Sequence, residues 1–273
     1  MARRDLRTQG EARANARARS APRDRQQPPH ERELVRICGL AAVRALFERD
    51  PGRVERLFFE ASTKAEAGPF CHALAGGHKP YRQVQPAELA RVAGTVLHGG
   101  IVAIARRQTL CDFDASAARV WAKDGKPLLV LDGISNPHNL GAIVRTAAFF
   151  GLERILLAQQ PDQALPSDAS YRVAEGGFEH VNLYRALLPD ALSELRPDYR
   201  VIGAAPGKDT VPTIARGARP PALVLGNEET GIAAHTIAAC DEIVTIPGSG
   251  RIQSLNVAAA AAIMIYTLTR SSQ

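Results

Sequence analysis

Apolar and polar positions divide the chain into an unpatterned start and two stretches where helix-like and strand-like periods alternate. Residues 1–33 hold no aromatic side chain and only Leu6 among large aliphatics, so they are expected to be a disordered tail. Residues 34–46 show a helical period, and 53–60 (RVERLFFE) read as a strand. Residues 64–75 look helical, 83–85 fit a short strand, and 86–93 start like a helix with proline in the first turn. An apolar strand follows Gly99 and Gly100 at 101–105. These elements predict a small α/β domain over 34–105. Residues 106–125 are polar and weakly patterned and are expected to be a linker.

The alternation restarts more strongly over 126–273. Buried-type strands are predicted at 127–131, 154–158, 200–204, 222–225 and 242–246. Helices are predicted at 140–150, apolar nearly all round and expected to be buried, at 187–195, and at 254–269. Strands alternating with helices imply a mostly parallel sheet covered on both faces. The fold class is therefore α/β, a larger C-terminal parallel-sheet domain preceded by a smaller α/β domain.

Composition narrows the classes. The 273 residues are 45% hydrophobic and 23% charged, which excludes a wholly disordered chain. The longest apolar run, 257–266, is too short to span a membrane, and the N-terminus has no apolar segment typical of a secretory signal. Cysteines at 38, 71, 111 and 240 have neither metal-ligand nor CxxC spacing, so reduced thiols in a cytoplasm are expected. No HExxH or Cys/His cluster suggests a metal. The net charge is +6, of which the nine arginines and five acids of 1–33 supply +4. The tail reads equally as an RNA-binding arm or a solubilising extension.

Candidate chemistry lies in three loops after three strands, where open α/β sheets bind ligands. The first runs Asp132-Gly133-Ile134-Ser135-Asn136-Pro137-His138-Asn139, with Asn139 expected as the cap of the next helix. Arg145 lies in that helix among apolar neighbours and needs a carboxylate, a phosphate or a wet cleft. The second loop, Gly226-Asn227-Glu228-Glu229-Thr230-Gly231, sets a carboxylate between glycines, which suits close backbone approach to a ligand or a plain turn. The third spans 247–256 and begins Gly248-Ser249-Gly250, but Gln253 fills the third glycine position of a dinucleotide fingerprint, so a nicotinamide enzyme has little support. Ser254 and Asn256 stand where the last helix would open.

Together these loops resemble the SpoU-type RNA ribose 2'-O-methyltransferases of the SPOUT superfamily. Asn139-Leu140-Gly141-Ala142-Ile143-Val144-Arg145-Thr146-Ala147 is similar to the first family motif, Asn-x-Gly-x-x-x-Arg-Thr-Ala. Gly226, Glu228 and Gly231 resemble the second, and Ile246 to Val257 the third. The segment 34–105 resembles the family's RNA substrate-binding domain at Gly39-Leu40 with Val43 and at His98-Gly99-Gly100-Ile101-Val102. Departures from the usual pattern are Glu229, Gly248, Gly99, Ala258, and Ala174-Glu175-Gly176-Gly177 in place of Ser-Ala-Gly-Ala. The resemblance implies a knotted C-terminal methyltransferase domain, S-adenosylmethionine as cofactor, ribosomal or transfer RNA as substrate, and a homodimer through that domain. It implies catalytic roles for Asn139, Arg145, Glu228, Ser254 and Asn256. It implies cofactor contacts at Leu225, Gly226, Asn227, Gly231, Ile246, Pro247, Ser254 and Leu255. The alternative is a non-catalytic RNA-binding or assembly protein that keeps the fold.

Overall fold

The computed structural model describes residues 34–206 and 218–270, so the tail expected over 1–33 lies outside the described residues. Residues 34–46 are not one helix. They form strand β1 (Leu34–Cys38) and the start of helix α1 (Leu40–Arg49), separated by Gly39 at φ +91°. Apolar residues at 34, 35, 37 and 38 fit either period, and the positive φ at Gly39 is what turns the chain. Strand β2 (Val54–Phe59), helix α2 (Lys64–Gly76), strand β3 (Tyr81–Gln83), helix α3 (Pro86–Ala93) and strand β4 (Ile101–Arg106) follow. They make a four-stranded sheet in the order β1-β4-β2-β3, with β4 antiparallel to β1 and β2.

The expected linker is structured. It carries strand β5 (Cys111–Asp112) and helix α4 (Ala115–Ala122), whose first turn is capped by the Asp114 carboxylate accepting from Ser116 N–H at 2.9 Å. A two-residue strand and a helix of eight residues leave too short a period to read from the sequence.

The second sheet is larger. Its remaining elements are strand β6 (Leu128–Asp132), helix α5 (Pro137–Phe149), strand β7 (Arg154–Ala158), helix α6 (Asp168–Ala174), strand β8 (Asn182–Ala186) and helix α7 (Leu188–Leu195). Then come strands β9 (Arg200–Ala204) and β10 (Pro221–Gly226), helix α8 (Ala234–Ala238), strand β11 (Glu242–Val244) and helix α9 (Val257–Arg270). The seven strands run in the order β11-β9-β10-β6-β7-β8-β5, all parallel. Alternate side chains feed opposite layers: Leu129 and Leu131 of β6 join one apolar cluster, Leu128 and Val130 the other. Both faces are thus covered, as a parallel sheet requires.

Two helices differ from expectation. Helix α5 buries Leu140, Ile143, Val144 and Ala147 but leaves Arg145 and Phe149 exposed, so it is not buried all round. Helix α9 starts at Val257 rather than 254 and keeps Ala259 and Ile263 exposed although its sequence is apolar on every side. The two pack against each other.

The sheets share one apolar cluster, which runs from Val35, Leu46 and Phe59 to Ile143, Phe178 and Leu225. A buried ion pair reinforces the seam: Arg53 Nη1 donates to Glu179 Oε2 at 2.6 Å, Nη2 to the Tyr171 hydroxyl at 3.1 Å, and Nε to the Arg106 carbonyl at 2.8 Å. Burial pushes the Glu179 carboxyl above its ordinary pKa, against the pull of Arg53. Among the described residues no helix is long and apolar enough to cross a membrane.

Candidate active site

Register brings the first two loops together. Gly226 of β10 lies opposite Asp132 of β6, so the loops leaving these strands emerge side by side. Asn227 Nδ2 donates to the Gly133 carbonyl at 2.7 Å, and the buried Asp132 carboxylate accepts from Ala233 N–H at 3.0 Å. The second loop closes on itself, with Asn227 and Gly231 exchanging backbone hydrogen bonds at 3.0 Å. A Cβ on Gly226 would lie 2.2 Å from Ile232 N, so only glycine fits beneath this turn.

Glu228 is the hub. Its Oε2 accepts from Ser135 N–H and Oγ, both at 3.1 Å, and its Oε1 accepts from Asn136 N–H at 3.2 Å and Asn139 Nδ2 at 2.8 Å. Burial raises the pKa of this carboxyl, but the bonds from Asn139, Ser135 and Asn136 together outweigh it and hold the group below the ordinary value. Asn139 Oδ1 in turn accepts from Asn256 Nδ2 at 3.1 Å. Asn256 Oδ1 accepts from Ala258 N–H at 2.9 Å and so caps α9. One chain of side chains, Glu228 to Asn139 to Asn256, therefore ties all three loops. Asn139 is not the cap of α5: Asn136 is, accepting from His138 N–H at 2.8 Å with Pro137 next. Asn139 is freed by that shift to face Glu228.

Arg145 stands apart from this chain. It lies six residues beyond Asn139, about 9 Å along the helix axis. Its guanidinium is not buried. Nη1 lies 2.9 Å from Glu175 Oε1, and the two side chains are 55% and 56% exposed. Gly141 between them serves packing, since a Cβ there would sit 2.4 Å from the Ser170 carbonyl oxygen of α6.

The third loop is open. Among the described residues, the side-chain and backbone hydrogen bonds between 246 and 255 reduce to Arg251 N–H on Ser249 Oγ at 3.4 Å. Ile246 is half-buried, and Pro247, Ser254 and Leu255 are exposed, with Ile252 at 83%. Leu225 is buried in the sheet, so only its backbone faces the loops. Exposed loop backbone beside the apolar side chains of Ile252 and Leu255 suits a flat heterocycle with polar edges, such as a purine. A separate polar cleft of about 500 Å³ opens at the seam between the sheets, lined by Arg53, Arg106, Arg107 and Asn182 among others and by none of the three loops. Among the described residues no group of three His, Cys, Asp or Glu is placed to hold a metal.

Ser135, Asn136 and Glu175 take part in these contacts and were not among the expected site residues. Asn136-Pro137 carried a readable signal, a capping residue before proline at the first helical position. Ser135 carried none, because its partner Glu228 comes from a distant segment, and Glu175 stood out only as a departure from the family pattern.

Residues 126–266 match the SpoU rRNA Methylase family, and residues 36–110 match the RNA 2'-O ribose methyltransferase substrate binding family. A 23S rRNA (guanosine-2'-O-)-methyltransferase RlmB of Acinetobacter baylyi is 31% identical over 85% of this chain and 95% of its own. The chain belongs to the SpoU rRNA methylase family. It is an RNA methyltransferase by that membership. A tRNA/rRNA methyltransferase YfiF of Escherichia coli, itself uncharacterized, is 30% identical over 85% of this chain and 67% of its own. The solved structure of an AdoMet-bound rRNA methyltransferase from Sinorhizobium meliloti is 22% identical, covers 88% of each chain, and superposes with a TM-score of 0.73, so it has the same SpoU fold. The tied loops are the segments that carry the SpoU resemblance, and the small sheet occupies the substrate-binding match.

Proposed function

We propose that this SpoU chain methylates a ribose 2'-hydroxyl of ribosomal RNA, with transfer RNA the other substrate class, using S-adenosylmethionine. The observation that carries the reading is the Glu228–Asn139–Asn256 chain, which holds three loops at the carboxyl ends of β6, β10 and β11 around one open surface. S-adenosylmethionine supplies an already activated methyl group when bound. Backbone groups of Leu225, Gly226, Asn227, Gly231, Ile246, Pro247 and Leu255, with Ser254, would hold the adenosyl part. Arg145 binds an RNA phosphate by its planar fork and orients the ribose. A guanidinium keeps its proton near neutral pH, so the hydroxyl proton passes to a neighbouring phosphate oxygen or water rather than to Arg145. Glu228, Asn139 and Asn256 act by fixing the loops.

The segment 34–105 is the RNA-gripping module in this reading and 126–273 the knotted methyltransferase domain. The active form is a cytoplasmic homodimer. Phe149, 82% exposed, and Ile263, 40% exposed, support it as apolar side chains on two helices that pack together. Phe149→Asp in the full chain should convert the dimer to a monomer in sedimentation equilibrium.

The test of substrate is a map of 2'-O-methylation across total RNA from a deletion strain and its parent. One lost site that returns on complementation names the nucleotide. An unchanged map, with no S-adenosylmethionine binding by calorimetry, would favour a non-catalytic RNA binder.

A further inference from the structure

Arg145 already holds an anion in this structure, and that anion is part of the chain. The Glu175 carboxylate lies 2.9 Å from the guanidinium. A carboxylate and a phosphate present the same pair of oxygens to the fork of an arginine, so the two compete for one site.

The turn that delivers Glu175 is fixed from both sides. Glu175 ends α6 in the left-handed region, at φ 45° and ψ 45°, where a side chain other than glycine is disfavoured. Gly176 follows at φ +92°, and a Cβ on it would lie 3.1 Å from Ala45 Cβ and 3.2 Å from Ala42 Cα of α1. A Cβ on Gly177 would lie 3.1 Å from Arg145 Cα itself. The turn is thus wedged between α1 and α5 against the Arg145 backbone. A charged side chain occupies a strained position where the SpoU pattern has alanine, and it spans to the one arginine of α5. Because both side chains are more than half exposed, the pair is weak and solvent-accessible, and an incoming phosphate can displace the carboxylate.

We propose that Glu175 is the resident counter-anion of Arg145, displaced by an RNA phosphodiester, so that it sets how tightly the enzyme grips RNA rather than how fast methyl is transferred. The proposal rests on the reading of Arg145 as the phosphate-binding residue. Glu175 is a specificity residue in this account: RNA that cannot place a phosphate at Arg145 leaves the ion pair closed and gains nothing from the arginine.

The test uses the full chain with deproteinised ribosomal RNA as the probe. Glu175→Gln and Glu175→Gly should each bind RNA about two- to five-fold more tightly, the range an exposed ion pair allows, with a matching fall in KM and no fall in kcat. Glycine also suits the left-handed backbone, so that variant should fold at least as stably as the parent and guards against a folding artefact. In an Arg145→Ala background the Glu175 substitutions should leave RNA affinity unchanged. Unaltered affinity in both single variants, beside an inactive Arg145→Ala, would overturn this inference alone and leave the reading of Arg145 standing. A lower kcat at constant KM would also overturn it, by making Glu175 a positioning group. Full turnover by Arg145→Ala would overturn the parent reading, and this one with it.

Discussion

Two arginine–glutamate pairs meet the chain four residues apart, at Glu175 and Glu179, and they could hardly differ more. The Glu179 pair is buried: its carboxylate is 3% exposed, Arg53 lies 2.6 Å away, and the guanidinium spends its other nitrogens on Tyr171 and Arg106. The Glu175 pair is open to water, and among the described residues its guanidinium has no such supports. In the buried pair all three guanidinium nitrogens of Arg53 are engaged within the protein, and the pair serves to join the two sheets. An exposed pair in a family motif keeps its charge available to a ligand. The contrast separates the arginine that joins the sheets from the one proposed to bind RNA by environment, since residue type alone is the same.

The largest expected effect tests the structural side. Glu179→Ala leaves Arg53 charged and buried without its partner, which should cost about 3–5 kcal/mol. Urea denaturation should show that loss in full, and a loss under about 1 kcal/mol would break the comparison. Next is Arg145→Ala, which should leave the urea midpoint in place and lower methyl transfer by about 100-fold or more. Arg145→Lys should fail too, because a point charge does not reproduce the fork. Third is Glu228→Gln, which turns an acceptor facing four donors partly into a donor and should cost about 2 kcal/mol. The folded pKa of Glu228 lies below its unfolded value, so its contribution is present above the ordinary carboxylate range and is lost as pH falls through the lowered pKa. The stability gap between parent and Glu228→Gln should therefore narrow on acidification below about pH 4.5, read from Tm against pH. The smallest is Asn256→Ala, where loss of the α9 cap should cost about 1 kcal/mol and loosen the third loop.

Much of the larger sheet was readable because its central strands are unbroken apolar runs. Residues 128–132, read as 127–131, are buried throughout, and 154–158 and 200–204 were placed at their observed bounds. What failed was short or ambiguous. Strand β8 mixes exposed Asn182 and Arg185 with buried Leu183 and Ala186 in five residues, too few to establish a period. Strand β1 was lost in a helical reading because the break at Gly39 is conformational, not compositional. Helix α6 spans seven residues, too few to establish a helical period. At the site, the residue types of the three loops were visible, but their wiring was not. Glu228 reaches Ser135 across 93 positions and Asn256 reaches Asn139 across 117, and no local pattern encodes such pairs. The same holds for Arg145, whose apolar neighbours suggested burial when they face the other side of the helix.

The central claim is that this SpoU chain methylates ribose, and alkaline digestion tests it most directly. RNA from the deletion strain is incubated with the full chain and S-adenosylmethionine labelled in its methyl group, then hydrolysed in alkali. A 2'-O-methyl group removes the hydroxyl that alkali needs for cleavage. The account predicts label in alkali-stable dinucleotides, lost with Arg145→Ala. Label in mononucleotides would place the methyl on a base, and no label at all would mean no transfer; either result contradicts the account.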